Sequence, residues 1–253
     1  MAGEQQPSQS SARLPTDQHI PILLSFISAF VDVICYLGLF RTFTAFITGT
    51  LIILAAETIH PDGVWLMKAV VVAAFIASLF LWVLLFRRLA RWRYLPALAL
   101  GTEAVLLAAF AISGEVLSPL AGADSPATIL VALTAVFAMS LQNVAMAQIF
   151  HQHVPTTVMT GNFTRFTISV IDIFRPGRFD VRKDEAAVFK TRAQLRHYLF
   201  VLLAFTAGGV VGAAGFFAAG FPVLAFPAMI LCLLALLLWR RQHTATILPQ
   251  NQE

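Results

Sequence analysis

Two carboxylates and two Thr-Gly tripeptides are the parts of this chain best suited to chemistry. Asp32 and Glu103 each lie near the middle of a long apolar stretch. An Asp at the centre of a membrane span costs about 2.5–3.5 kcal/mol on insertion scales, so a functional role is its default reading. Such a carboxyl group suits a proton or cation relay. The plainer alternatives are a hydrogen bond to a neighbouring helix or an ion pair with Arg41 or Lys68. Thr48-Gly49-Thr50 and Thr160-Gly161-Asn162 each stand near the start of a shorter apolar stretch. The first amide groups of a helix lack internal partners and carry the positive end of its dipole. Glycine permits close approach there, and Thr and Asn supply directed polar contacts. Such tips suit an anion, a carboxylate or a polar solute, and simple N-capping is compatible with the same pattern.

Gln142-Asn143 places two amides inside another apolar stretch, where they can line a pore or tie helices together. The expectation is one binding site formed by Asp32, both tripeptides and Gln142-Asn143, with Asp32 and Glu103 as the relay carboxylates. Arg165 stands one turn beyond the second tripeptide and either adds charge to that tip or reaches back to the membrane surface. His151 and His153 make only half a metal site, so no metal and no cofactor is expected. No Ser/His, Cys/His or multi-His constellation stands at a productive spacing, which argues against an enzyme.

The elements that position these groups follow from composition. The chain has 253 residues, 58% hydrophobic and only 12% charged, with a mean hydropathy of +0.80. A soluble domain carries about 25% charged residues. Half that charge cannot cover a wet surface, so the class is an all-α polytopic membrane protein. Cys35 and Cys232 both lie in apolar runs and read as packing residues.

A crossing helix needs about 20 mainly apolar residues. Six stretches qualify: Ile20–Phe40, Trp65–Phe86, Leu95–Ser113, Ala127–Phe150, His197–Ala219 and Phe221–Trp239. Thr44–Thr58 and Thr157–Phe174 are apolar but shorter, and read as re-entrant half-helices. Residues 1–19 read as a disordered tail without signal-peptide features, 20–240 as one transmembrane domain, and 241–253 as a second polar tail.

Lys and Arg mark the cytoplasmic side. Thirteen of the seventeen lie in Arg87–Arg93, Arg175–Arg196 and Arg240–Arg241, whereas Ser113–Pro126 holds Glu115, Asp124 and no positive residue. Keeping all three basic segments inside gives six crossings, cytoplasmic termini and two half-helices penetrating from opposite faces. Eight full crossings would force a basic segment outside.

The two halves also resemble each other. Asp32 is followed sixteen residues later by Thr48-Gly49-Thr50, and Asn143 seventeen residues later by Thr160-Gly161-Asn162. Each unit (about 20–113 and 127–240) continues with a short apolar stretch and two spans. Three crossings per unit make the second unit upside down, the inverted-repeat plan of many transporters.

Ala29-Phe30-Val31-Asp32, Phe46-Ile47-Thr48-Gly49, Met139-Ser140-Leu141-Gln142-Asn143 and Thr156-Thr157-Val158-Met159-Thr160-Gly161-Asn162 together resemble the YoaK-like bacterial membrane proteins, an uncharacterised family. The resemblance runs from about Pro21 to Arg240 and implies a multi-pass protein of the bacterial inner membrane. It brings no established activity. Thr50 stands where that family usually has Asn, which implies an asymmetric pocket. The expected function is a transporter or channel for a small polar or anionic solute, proton-coupled through Asp32. The alternative is a non-transporting assembly or sensor partner. Expected partners are the bilayer, a small molecule or ion and a second copy of the chain; nucleic acid is not expected, and Arg175–Arg196 reads as a lipid-headgroup contact.

Overall fold

The computed structural model describes residues 19–60, 64–150, 159–174 and 185–247. The tails, His151, His153, Thr157 and the Arg175–Lys183 part of the basic segment lie outside these residues. The described chain is helical, with α1 at Ile20–Gly38, α2 at Ile47–Ile59, α3 at Leu66–Arg88 and α4 at Leu95–Val116. It continues with α5 at Pro126–Gln148, α6 at Met159–Phe174, α7 at Glu185–Ala219, a 3-10 turn at Phe221–Leu224 and α8 at Ala225–Ile247. Among the described residues, six segments are long and apolar enough to cross a membrane: α1, α3, α4, α5, Thr191–Ala219 and Phe221–Thr244. Lipid offers no partner to a free amide, so a span survives only if its backbone bonds close internally, as these do. Prolines at the first positions of α1, α4 and α5 sit where no internal bond is lost. Ser125 caps α5 by accepting the Thr128 N–H at 3.2 Å.

The bundle has two chemically distinct ends. The Tyr94 ring stacks on Trp239 at 4.2 Å, bringing the arginine turn before α4 and Arg240–Arg241 to one basic end. Phe86, Leu95, Val144 and Ala145 pack together there, so α3 and α5 finish at that end. α1 starts there, because Gln142 Nε2 donates to the Leu24 carbonyl at 2.9 Å. The opposite, acidic end gathers the close of α1, the start of α3, the end of α4 with Glu115, and the loops holding Asp124 and Gly220. There the Met67 N–H donates to Asp124 Oδ1 at 2.9 Å. A Cβ on Gly38 or Gly114 would strike the Phe221 ring.

Two pairs of spans run side by side in the same direction. α7 lies along α1, and a Cβ on Gly208 would collide with the Phe26 carbonyl and one on Gly212 would stand 2.9 Å from the Phe30 carbonyl. Glycine is what permits that approach, as expected where small residues replace hydrophobic attraction between helices. α3 lies along α5, tied by Trp82 Nε1 donating to Ser140 Oγ at 3.2 Å. α4 packs between α5 and α8. In α1 and α5, 67% of the apolar stretch is buried, against 22–28% in α3 and in the spans of α7 and α8, so α1 and α5 form the centre.

The half-helices differ from the spans. α2 has 13 residues, about 20 Å at 1.5 Å per residue, too short to cross. It starts level with Asp32 and ends beside the start of α3, where Glu57 pairs with the buried Lys68 at 2.9 Å. α6 starts beside Phe205 and Gly209 of α7 and returns along α7, with Phe166 packed on the Met159–Val201–Leu202 cluster. α2 therefore points its tip inward from the acidic end, and α6 from the basic end.

Candidate functional site

The site begins with a turn. After α1 the chain reverses through Phe40 and Arg41, both at positive φ (49° and 61°). L-residues visit this left-handed region rarely and at a cost, so surrounding contacts must hold it. The Arg41 N–H donates to the Tyr36 carbonyl and the Thr42 N–H to the Leu39 carbonyl, both at 3.1 Å, and the residues that follow are held by Asp32. Its Oδ1 accepts the amide N–H groups of Thr44 and Ala45 at 2.8 and 2.7 Å, and its Oδ2 accepts that of Phe46 at 2.7 Å. A carboxylate beside three free amides at a helix start satisfies both partners in a medium that offers no water. This also explains why α2 starts at Ile47 rather than at the Thr44 read from the sequence: the intervening amides belong to Asp32. Arg41 and Lys68 do not pair with Asp32, and Lys68 pairs with Glu57 instead.

The first tripeptide completes the turn. Thr50 Oγ1 accepts the Phe43 N–H at 2.7 Å and donates to the Phe43 carbonyl at 2.6 Å. Gly49 leaves room for two rings: a Cβ there would stand 2.5 Å from Phe46 and 3.1 Å from Phe43. Thr44 Oγ1 lies 3.4 Å from Cys35 Sγ. Each polar group expected to meet a ligand at this tip, except the exposed Thr48, instead shapes residues 43–46.

A cavity of about 440 Å³ lies between this turn and the start of α6. Its walls are Ala29, Asp32, Val33 and Tyr36 of α1, Phe43 and Phe46 of the turn, Met159 and Thr160 of α6, and Phe205 and Gly209 of α7. The size and character fit a small-molecule site, mostly apolar with a few polar groups. Tyr36 stacks on Phe43 at 5.4 Å, and Phe43 meets Phe46 edge to face at 5.7 Å, so three aromatic rings run continuously along one side.

The remaining sequence candidates lie elsewhere. Gln142 is buried and joins α5 to the backbone of α1. Asn143 Nδ2 donates to the Met139 carbonyl one turn back at 2.9 Å. Asn162 is buried and places Nδ2 3.6 Å from Met159 Sδ. A Cβ on Gly161 would meet nothing within 4 Å, in contrast to Gly49. Glu103 is fully buried in α4, with neither carboxyl oxygen bonded among the described residues, and does not border the cavity. Of the expected site, the structure thus brings Asp32 and Thr160 to one cavity.

The rings of Tyr36, Phe43, Phe46 and Phe205 were not singled out from the sequence. Phe43-Thr-Ala-Phe46, one residue before Thr48-Gly49, is the signal that could have marked Phe43 and Phe46, since a glycine three residues after an aromatic gives its ring room to fold back.

No curated protein and no solved structure matches the chain at a significant level. A family profile described as a protein of unknown function, DUF1275, matches residues 20–237, which is α1 through most of α8 and includes every wall of the cavity. The chain belongs to this DUF1275 family.

Proposed function

We propose that the protein is a membrane transporter or channel that passes a small solute through the cavity between the tips of α2 and α6. One observation carries this reading: two half-helices, approaching from opposite ends of the bundle, both border a single cavity beside a membrane-buried carboxylate. Broken helices meeting near the midplane are where transporters hold their solutes. The contacts support an inverted repeat as well. Exchanging α1–α4 with α5–α8 turns the parallel α1–α7 pair into α5–α3 and the α2–α3 pair into α6–α7, all of which pack together. In this reading the basic end faces the cytoplasm.

Asp32 supplies a route to proton coupling. As a carboxylate it only accepts, and all three turn amides donate to it. A proton on Oδ1, which already takes two amides, would place a donor against a donor and loosen the turn that walls the cavity. Because the amides of the α2 tip are committed to Asp32, they are not open to an anionic solute.

The test replaces Thr160 by Cys in a chain lacking Cys35 and Cys232, using membrane-impermeant methanethiosulfonates of either charge on sealed vesicles of both orientations. Labelling from both sides is expected. Labelling from one side only, insensitive to the Asp32→Asn change, would remove the transport reading. A second reading, a non-transporting partner protein, draws on α7, which begins at Glu185, before the first span residue Thr191, and carries Arg192 and Arg196 towards the basic end. A stoichiometric partner bound through this segment, with one-sided labelling, would favour it.

A further inference from the structure

The cavity's walls say what kind of solute it takes. We infer that it binds a small amphipathic organic cation, of the quaternary or substituted ammonium class, between Asp32 and the ring set Tyr36, Phe43 and Phe46. The inference rests on the cavity being the working site, and it adds the charge and shape of the occupant.

The first line of argument is electrostatic. Among the described residues that line the cavity, Asp32 is the one charged side chain and none is Lys or Arg. Its negative charge is opposed by the α2 start, whose dipole end is worth only about half a positive charge. The wall therefore keeps net negative character. Arg41 lies beyond the Phe40 turn and Arg165 five residues past Thr160, and neither borders the cavity. An anion would meet this carboxylate with no compensating cation. A compact metal cation would find one carboxylate already accepting three N–H groups and almost no other oxygen ligands, far short of what hard cations require.

The second line is the shape and chemistry of the rings. An alkylated ammonium carries its charge under an apolar skin, and its favoured surroundings are aromatic faces rather than oxygen ligands. Here three rings adjoin in sequence, with Tyr36 and Phe43 inclined by 24° and Phe43 and Phe46 by 69°, so they form walls at different angles around one volume. The local sequence is built to hold them there. Gly49 admits the Phe43 and Phe46 rings, the Thr50 hydroxyl fixes both backbone groups of Phe43, and Asp32 fixes the amide of Phe46. One carboxylate thus both anchors the turn that carries two of the rings and supplies the charge they would serve. Thr160, across the cavity on α6, offers a hydroxyl to a polar substituent on the same solute.

The experiment measures equilibrium binding of radiolabelled tetraethylammonium to the purified full chain in lipid nanodiscs, with choline and its neutral isostere 3,3-dimethylbutan-1-ol as competitors. Saturable binding is expected, displaced by choline at least 10-fold more effectively than by the isostere. Phe46→Leu should weaken binding by 10-fold or more, while Phe46→Trp, which keeps a π face, should retain it within about 3-fold. Both variants should elute as single species, so loss in one alone is not misfolding. Equal competition by the neutral isostere, or binding unaffected by Phe46→Leu, would overturn the inference and leave the cavity as a site for an uncharged solute. Absence of saturable tetraethylammonium binding would overturn it too. Two-sided labelling of the Thr160→Cys chain is read independently, so the cation inference and the transport reading can fail separately.

Discussion

The Asp32 carboxylate accepts the Phe46 amide N–H at 2.7 Å, fourteen residues further along the chain. With the Thr44 and Ala45 amides on its other oxygen, it closes the end of one half-helix from the middle of a neighbouring span.

Removing that acceptor leaves two buried donors and one part-buried donor without a partner, each worth about 1–3 kcal/mol when buried and unsatisfied. Asp32→Ala should therefore destabilise the protein by roughly 3 kcal/mol or more. Asp32→Asn keeps an oxygen for Thr44 and Ala45 but turns a donor towards Phe46, so it should fall between the two. Thermal unfolding in detergent, followed by size-exclusion fluorescence, ranks the three chains. An Ala variant as stable as the parent would remove the anchoring role.

The two tripeptide glycines should behave differently despite their similar motifs. Gly49→Ala pushes a methyl group into the Phe46 ring, an overpacking change of about 1–3 kcal/mol. Gly161→Ala meets open space in the first turn of α6 and should be neutral, or stabilising by up to about 1 kcal/mol. Unfolding midpoints in the same assay should separate them, and equal losses would contradict the crowded-versus-open contrast.

Lys68 is 1% exposed and its partner Glu57 26% exposed, so the pair is only partly shielded. Glu57→Gln strands a buried ammonium and should cost towards the lower end of the roughly 3–5 kcal/mol seen for broken buried pairs. Combining it with Lys68→Met should recover much of that loss. A double-mutant cycle on unfolding midpoints tests the coupling, and additive losses would show that the pair does not interact.

Adjacent glycines on α7 offer a control of one position. Gly208→Ala would drive a methyl group into the Phe26 backbone carbonyl and should separate α1 from α7, with loss of the single-species elution profile. Gly209→Ala borders the cavity with nothing within 4 Å of its Cβ and should elute normally. Similar behaviour of the two would place the helix crossing elsewhere.

Trp92 and His243 stand at one end of the bundle and Ser118 at the other. Single cysteines at Trp92 and His243 should label from the same side of sealed cells, the cytoplasmic one, and a cysteine at Ser118 from the other. Labelling of Trp92→Cys from outside would reverse the orientation read from the positive charges.

Much of the fold was legible because hydrocarbon imposes a length rule that apolar runs obey openly. The six crossing segments overlap the six stretches read from the sequence, with starts within one residue for α1, α3, α4 and α5. α7 starts earlier than His197 because its first residues are polar and helical, which an apolar count does not register. The site was less legible. Asp32 stood out as a charge in an apolar run, yet its partners are backbone amides, which every residue has and no composition reveals. Thr50 and Gly49 looked like ligand contacts because a hydroxyl and a missing side chain look alike in sequence whether they serve a solute or the protein's own turn. The aromatic walls were hidden among 22 phenylalanines, and only the positions of Phe43 and Phe46 against Gly49 separate them from packing residues.

The close seat of α1 on α7 has a consequence for biogenesis. α1 finds its most extensive neighbour about 180 residues later, so in the nascent chain the face of α1 that α7 covers stays in lipid until the glycines at 208 and 212 emerge, with α5 its earlier partner on another side. During that interval the lone Asp32 can be quieted only by its own downstream turn, which arrives within the next fifteen residues. The early hairpin is thus able to shelter its acid before the rest of the assembly exists.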